Sequence, residues 1–409
     1  EIKIPIYNIL NGDAKCDITL AYHIHENKVD QEASWVGLGW SLNAGGVISR
    51  IRRGLSDLTT NGGITAHTFG YDCCTFYQPD DFYFNFSGYS GHFILDQQNH
   101  SILISQSDLK IENIDGTDTG FNIVSPDGTK YIFNKKEFTF VSEVTGPRDS
   151  IQYYYPSSWY LTKVISPTYR EINFTYTSTT FPSISYSLVE SHNDLQDLGG
   201  TGYCTGLSIL PENEYAFLRT IQYNIYPTKI DFGLGEITFT TNDRLDLLKV
   251  SGYPYPKRLA ELSITDKSSL EIVRKFVFTS SYFISAGSYP DHISRRLKLE
   301  SLIEKNASNQ SNSIYSFEYE PTLLPVKYSK STDYWGFYNG FTYPSETTVN
   351  NRDFSSNSTY SKACLLKKIV YPTGGFTTFE YEGNTFSNRT NMTQGGGKRI
   401  KRIISYDNN

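Results

Sequence analysis

The sequence predicts an all-β protein in which recurrent antiparallel β-hairpins form a large curved sheet or shell. Three observations predict it. A phrase returns five times in the second half: an aliphatic run, a short turn, then a run ending in Phe-x-Tyr or a near variant. Aromatics make up 15% of the chain, with 32 Tyr and 25 Phe against a single Met, a usage that suits flat rings packed across a pleated face. Helical periodicity is nearly absent. Its best window, residues 291–302, fits a strand equally well.

The five copies justify the fold element by element. The first runs from Leu161 through Pro167-Thr-Tyr-Arg170 to Phe174-Thr-Tyr176, and the second from Lys229 through Gly233-Leu-Gly235 to Phe239. The third joins 259–264 to Phe276-Val-Phe278 across 266–269, and the fourth joins 299–303 to Phe317-Glu-Tyr319 across 306–312. The fifth passes from 366–369 through Pro372-Thr-Gly-Gly375 to Phe379-Glu-Tyr381. Each is a hairpin in sequence form, two alternating apolar runs around a Gly, Pro, Asn or Asp turn. No unit can bury its apolar face alone, so successive units must extend one sheet. The five Phe should then share a sheet face.

Earlier in the chain, 2–6 and 16–22 read as two strands joined across Asn11-Gly12. Residues 82–86 should pair with 92–95 across 87–91, and 121–124 with 130–133 across the strong turn Pro126-Asp-Gly128. Residues 178–215 and 321–363 read as insertions, giving three regions: 1–60, a hairpin block at 61–149, and a repeat region at 150–409. At the end, 395–406 reads as the first strand of a hairpin without its partner. It should pair backwards with 366–381 and leave its other edge for a continuing sheet, because a long open edge invites association. The sequence reads as a piece of a larger protein.

Composition narrows function. The net charge of −6 argues against nucleic acid, which needs a clustered basic surface. No run approaches the length of a membrane helix. The five cysteines, Cys16, Cys73, Cys74, Cys204 and Cys364, form no C-x-x-C pair, so a zinc site is not expected. Adjacent Cys73 and Cys74 read as two unrelated thiols in a turn, with a strained vicinal disulfide as the competing reading. His23 and His25 share a strand face but lack a third ligand at recognisable spacing. Asp80 and Asp81 read as a loop cap, since neighbouring strand residues point to opposite faces and glycosidase chemistry needs carboxylates facing each other across a cleft. No nucleophile elbow, P-loop or dinucleotide fingerprint is present.

Two segments stand out as structural candidates. In 33–50, Trp35, Gly37, Gly39, Trp40, Gly45 and Gly46 combine ring volume with glycine backbone; the expectation is Trp packing at a sheet bend, with a sugar-stacking platform as the competing reading. In Asp333-Tyr-Trp335-Gly336-Phe-Tyr338-Asn339-Gly340, Trp335 and Tyr338 are expected as buried anchors and Asn339-Gly340 as a type I′ turn.

These residues carry a resemblance. The phrase Lys28-Val-Asp-Gln-Glu-Ala-Ser-Trp-Val-Gly-Leu-Gly-Trp-Ser-Leu-Asn-Ala-Gly-Gly-Val-Ile-Ser-Arg50 resembles the opening region of large Rhs/YD-repeat proteins, especially those of Bacteroidota. It is more distantly similar to the SpvB-type start of Tc-toxin cocoon proteins. Further matches lie at 81–93, 333–340 and 371–381, in the expected order along almost the whole chain. The resemblance implies a hollow shell spiralled from hairpins that encloses a C-terminal toxin or effector. The family's C-terminal core region, with its self-cleaving aspartates, has no counterpart before residue 409, and the hairpins lack the tight Tyr-Asp signature of regular repeats. The expected function is therefore a non-enzymatic structural segment of a secreted or surface-exposed bacterial polymorphic toxin. Its partners would be the rest of its own chain, the effector and secretion or surface components, with no cofactor, metal, nucleic acid or membrane span. The alternatives are a surface adhesin or glycan-binding β-module and, third, a carbohydrate-active enzyme.

Overall fold

The computed structural model describes residues 1–24, 27–53, 79–96, 98–114, 119–143, 152–190, 215–333, 335–340, 359–388 and 391–407. Their regular secondary structure is almost entirely strand, and the strands pair antiparallel. The 291–302 window resolves into a single helical turn, α1 (Asp291–Ser294), running directly into a strand. Two compact units divide the chain: residues 1–9, 17–44 and 227–409 form one, and 10–16 with 45–226 the other.

The chain opens on a three-stranded sheet, β1 (Ile2–Asn11), β2 (Ala14–Tyr22) and β3 (Trp40–Ala44), in that order. Its alternation is clean as far as Leu20: Ile4, Ile6, Cys16, Ile18 and Leu20 are buried with more exposed residues between them, and β2 then ends on the buried Ala21 and Tyr22.

The second unit holds β4 (Gly46–Ile51), β5 (Asp81–Phe86), β6 (Tyr89–Leu95), β7 (Ser101–Leu103), β8 (Lys110–Asn113) and β9 (Phe121–Val124). It continues with β10 (Lys130–Glu143), β11 (Gln152–Ile165), β12 (Glu171–Tyr176), β13 (Phe181–Glu190) and β14 (Tyr215–Asn224). Its spine is the long pair β10–β11. β11 also pairs with β4 at 158–160 and with β12 at 163–165. β10 takes β9 at its start and β14 at its end. The core is aromatic: Phe82, Phe93, Phe121 and Trp159 meet with ring centroids 5.1–5.9 Å apart. Two expectations are corrected here. The 82–95 hairpin turns on Ser87-Gly88 alone, because both residues adopt the positive φ of a two-residue turn. The stretch 178–215 is no simple loop, since β13 within it pairs with β14 from Phe181↔Asn224 to Glu190↔Tyr215.

The first unit completes itself with an unbroken meander: β15 (Pro227–Asp231), β16 (Gly235–Asp243), β17 (Lys257–Asp266), β18 (Ile272–Ile284), β19 (Arg295–Asn306), β20 (Ser311–Tyr319), β21 (Leu366–Val370), β22 (Phe376–Asn388) and β23 (Asn391–Tyr406). Each strand pairs with the next. All five repeat units, including β11–β12 in the other unit, are antiparallel hairpins. Following the registers, Phe239, Phe276, Phe317 and Phe379 fall on one face, and all four are buried, as is Phe174 in the second unit. The last segment pairs backwards as the sequence leads one to expect: β23 is the return arm of a hairpin with β22, from Asn388↔Asn391 to Phe376↔Tyr406.

Two devices recur along the chain. The first is the turn. In five hairpins, three of them repeat units, the N–H of the first turn residue bonds to the carbonyl of the fifth, and the N–H of the fourth bonds back to the first. The fourth residue is always left-handed: Asn99, Gly128, Tyr169, Asn309 and Gly374, with φ between 61° and 87°. This is a type I turn closed by a bulge, which favours Gly or Asn there. The second device is the terminal Tyr. Tyr176 donates its hydroxyl to the carbonyl of Leu161 at 2.6 Å, Tyr319 to Leu299 at 2.6 Å, and Tyr381 to Leu366. In each case the end of the unit is tied to the Leu that begins it.

Candidate functional site

The segment linking β2 to β3 carries Trp35, Gly37 and Gly39, with Trp40 opening β3, and it lies in the first unit. Trp40 is fully buried at the start of β3, its ring 4.5 Å from Phe317 and 5.1 Å from Tyr22. Its indole N–H donates to the Tyr319 hydroxyl at 2.9 Å. Trp35 is less completely covered, packed on Phe239 at 6.1 Å, and its carbonyl accepts from the Leu259 N–H. Trp40 is thus the fully buried ring of the pair and Trp35 the partly buried one.

Gly39 shows why the segment needs glycine. Its φ is +76°, and a Cβ there would sit 2.6 Å from the Tyr22 ring. Gly37 lies against the Leu299 backbone. Gly45 and Gly46 fall in the second unit, where they lie against Phe174 and Phe86.

The 333–340 segment meets 27–29 directly. The Val29 N–H donates to the Gly336 carbonyl at 3.0 Å, and the Lys28 ammonium stands 5.6 Å over the Phe337 ring. Asp333 organises the turn by accepting from the N–H groups of Trp335 and Phe337, both at 2.9 Å. Burial, partly offset by these donors, leaves its carboxyl above the usual carboxylate range. The reversal lies here, where the Asp333 N–H donates to Phe337 and the Gly336 N–H to Asp333, rather than at Asn339-Gly340. Gly340 has a positive φ but Asn339 does not, and a type I′ turn requires both. Asn339 instead donates its side-chain amide to Thr332. Trp335 corrects another expectation: it is 39% exposed, lying across Gly396 of β23, where a Cβ would come within 2.5 Å of the ring. Tyr338 packs edge-on to Tyr360, which also covers Gly340.

A buried charge cluster, which the sequence reading missed, fastens the same segment. Arg244 forks onto both oxygens of Asp246, at 2.8 and 2.6 Å, and donates to the carbonyls of Ser34 and Ala33. Asp246 accepts from the Leu297 N–H. Arg296 donates to the Val29 carbonyl at 2.5 Å. Lys327 bridges Glu32 at 2.5 Å and the Asp246 carbonyl at 2.6 Å, and the Tyr328 N–H caps Asp30. Burial alone would raise the Asp246 pKa, but Arg244 and Lys327 outweigh it and hold the carboxyl below its usual range. Glu32 goes the other way, raised by burial despite Lys327. The sequence offers one cue: Arg244 and Asp246 stand two apart, a spacing that puts both on one side of an extended chain.

The weaker candidates resolve into structural roles. Asp80 accepts from the Arg50 guanidinium and the Arg53 N–H, while Asp81 accepts from the Arg53 guanidinium at 2.6 Å and lies 3.2 Å from His92. The two carboxylates thus share Arg53. His23 lies 3.1 Å from Ser41 and 3.6 Å from Glu1; its sequence partner His25 lies outside the described residues, as do Cys73, Cys74 and Cys204. Cys16 and Cys364 are buried thiols. Among the described residues no three metal-ligating side chains converge.

No family model and no curated protein matches the chain. Solved structures do show similarity at low identity. The N-terminal domain of the effector protein SpvB from Salmonella typhimurium strain LT2 is 10% identical, with a TM-score of 0.33, over 75% of this chain and 98% of that one. A crystal structure of TcdB2-TccC3-Cdc42 is 10% identical with a TM-score of 0.38, and a Photorhabdus luminescens Tc holotoxin pore is 11% identical with the same score. Each aligns with 98% of this chain, which spans 19% of the length of the chain it matches.

Proposed function

We propose that this chain is a non-enzymatic structural segment, the opening part of an Rhs-like β-shell that encloses or carries a C-terminal effector in a secreted or surface-exposed bacterial protein. The observation that carries the reading is the meander β15–β23, nine strands paired in sequence order with one face lined by buried Phe. An architecture that adds hairpins along the chain makes wall rather than a pocket. The packing of 27–44 supports the same reading, because its rings and charges are spent on main-chain carbonyls and on each other.

The test is protease protection in the natural full-length protein. A shell predicts that any segment following the hairpins resists protease until the wall is cut or unfolded. A following segment digested at the rate of a free polypeptide, or the finding that the mature protein ends with this region and binds glycans through exposed aromatic rings, would overturn the reading in favour of a binding module.

A further inference from the structure

Glu137 is 2% exposed and sits in β10 where that strand passes from β9 to β14 on one side, with β11 on the other. A bulge between Glu137 and Phe138 marks the place. Its carboxylate accepts from the Gln222 amide of β14 at 2.7 Å, from the Tyr160 hydroxyl of β11 at 3.2 Å, and from the N–H of Ile225 just after β14. None of these groups is a cation. The other titratable groups facing this place are phenols and a thiol: Tyr176 of β12, Tyr226 after β14, and Cys16 of β2 behind Tyr176. Gln222 is itself exposed, so its amide links the buried carboxylate to the surface.

We infer that Glu137 is a proton-operated latch on the β10–β14 seam. In its neutral form Gln222 closes over it and the β13–β14 hairpin is held against β10; in its ionised form the carboxylate draws water past Gln222 and the seam opens. The physical reason is that three neutral dipoles do not replace the hydration of a buried anion. Burial accordingly raises the Glu137 pKa from 4.5 to about 7. The sign follows from linkage. The folded chain holds this proton more tightly than the unfolded chain, so the stabilisation is complete below the ordinary glutamate range and is lost as pH rises through about 7.

The experiment compares the wild-type chain with Glu137→Gln and Gln222→Ala by hydrogen exchange over 138–143 and 218–224, corrected for intrinsic base catalysis, between about pH 5 and about pH 9. Infrared spectra follow the protonated carboxyl band. The wild type should show about tenfold faster opening of this seam at the alkaline end, and Glu137→Gln should show none of that increase. In Gln222→Ala, which admits water, the carboxyl band should be lost at lower pH than in the wild type. The infrared titration needs no Glu137 variant to fold, because a band lost with a midpoint in the ordinary glutamate range would overturn the inference. An unchanged pH dependence in Glu137→Gln would overturn it equally.

Discussion

The Tyr319 hydroxyl donates to the Leu299 carbonyl at 2.6 Å while accepting from the Trp40 indole at 2.9 Å. One phenol therefore closes the fourth hairpin and ties it to a ring 279 residues earlier. Tyr319→Phe should leave a buried N–H and a carbonyl short of a partner and cost about 1–3 kcal/mol. Tyr176→Phe and Tyr381→Phe each remove a single bond and should cost less. Urea unfolding of the three variants checks the ranking, and a Tyr319→Phe cost no larger than the others would refute the relay.

Trp40 and Trp35 should separate sharply. Trp40→Ala empties a fully buried site and should cost about 3–5 kcal/mol, whereas Trp35→Ala should cost well under half of that. Equal losses in thermal unfolding would mean that Trp35 carries packing its exposure does not reveal.

Tyr169 occupies the left-handed turn position that Gly or Asn fills in the four sibling turns, and it is 86% exposed. Tyr169→Gly should stabilise the chain by up to about 1 kcal/mol, because the backbone conformation costs a Tyr more than its exposed ring returns. The converse change, Gly374→Ala, should destabilise by about 1 kcal/mol or more. A destabilised Tyr169→Gly protein would show that the ring makes a contact worth more than the strain.

Asp246→Asn removes the anion that Arg244 and Lys327 share and should cost about 3–5 kcal/mol at neutral pH. Because its pKa is held down in the folded chain, the carboxylate's contribution is present above the ordinary aspartate value and lost as pH falls through the lower folded one. Acid titration of stability should therefore be shallower in Asp246→Asn than in the wild type. A parallel pair of curves would remove Asp246 from the acid transition.

Gly39→Ala adds a methyl 2.6 Å from the Tyr22 ring on a backbone with φ of +76°. Overpacking of this kind costs about 1–3 kcal/mol, to which the left-handed backbone adds. Gly396→Ala meets the Trp335 ring instead, and since that ring is partly exposed it can swing away. The expected signature is a red-shifted Trp emission with little loss of stability, and a stability loss matching that of Gly39→Ala would contradict it.

The sequence by itself determined the local grammar of this protein. Alternation placed Phe239, Phe276, Phe317 and Phe379 on one buried face, and turn residues such as Pro126-Asp-Gly128 marked where strands reverse, because both signals act over a few neighbouring residues. What needed the tertiary structure was every relationship set by long-range pairing. Alternation marked 395–406 as a strand pairing backwards with 366–381, but not that its two arms run on to Asn388↔Asn391, because the length of a hairpin is set by the pairing itself. Aromatic content cannot tell Trp40 from Trp335, since burial is decided by what the fold lays over each ring: Phe317 and Tyr22 cover one, while the other spans a glycine at the surface. The charge cluster was least legible of all. Glu32, Arg244, Asp246, Arg296 and Lys327 are ordinary surface residue types, and only the docking of 27–39 on the meander takes them largely out of water and obliges each charge to find its partner.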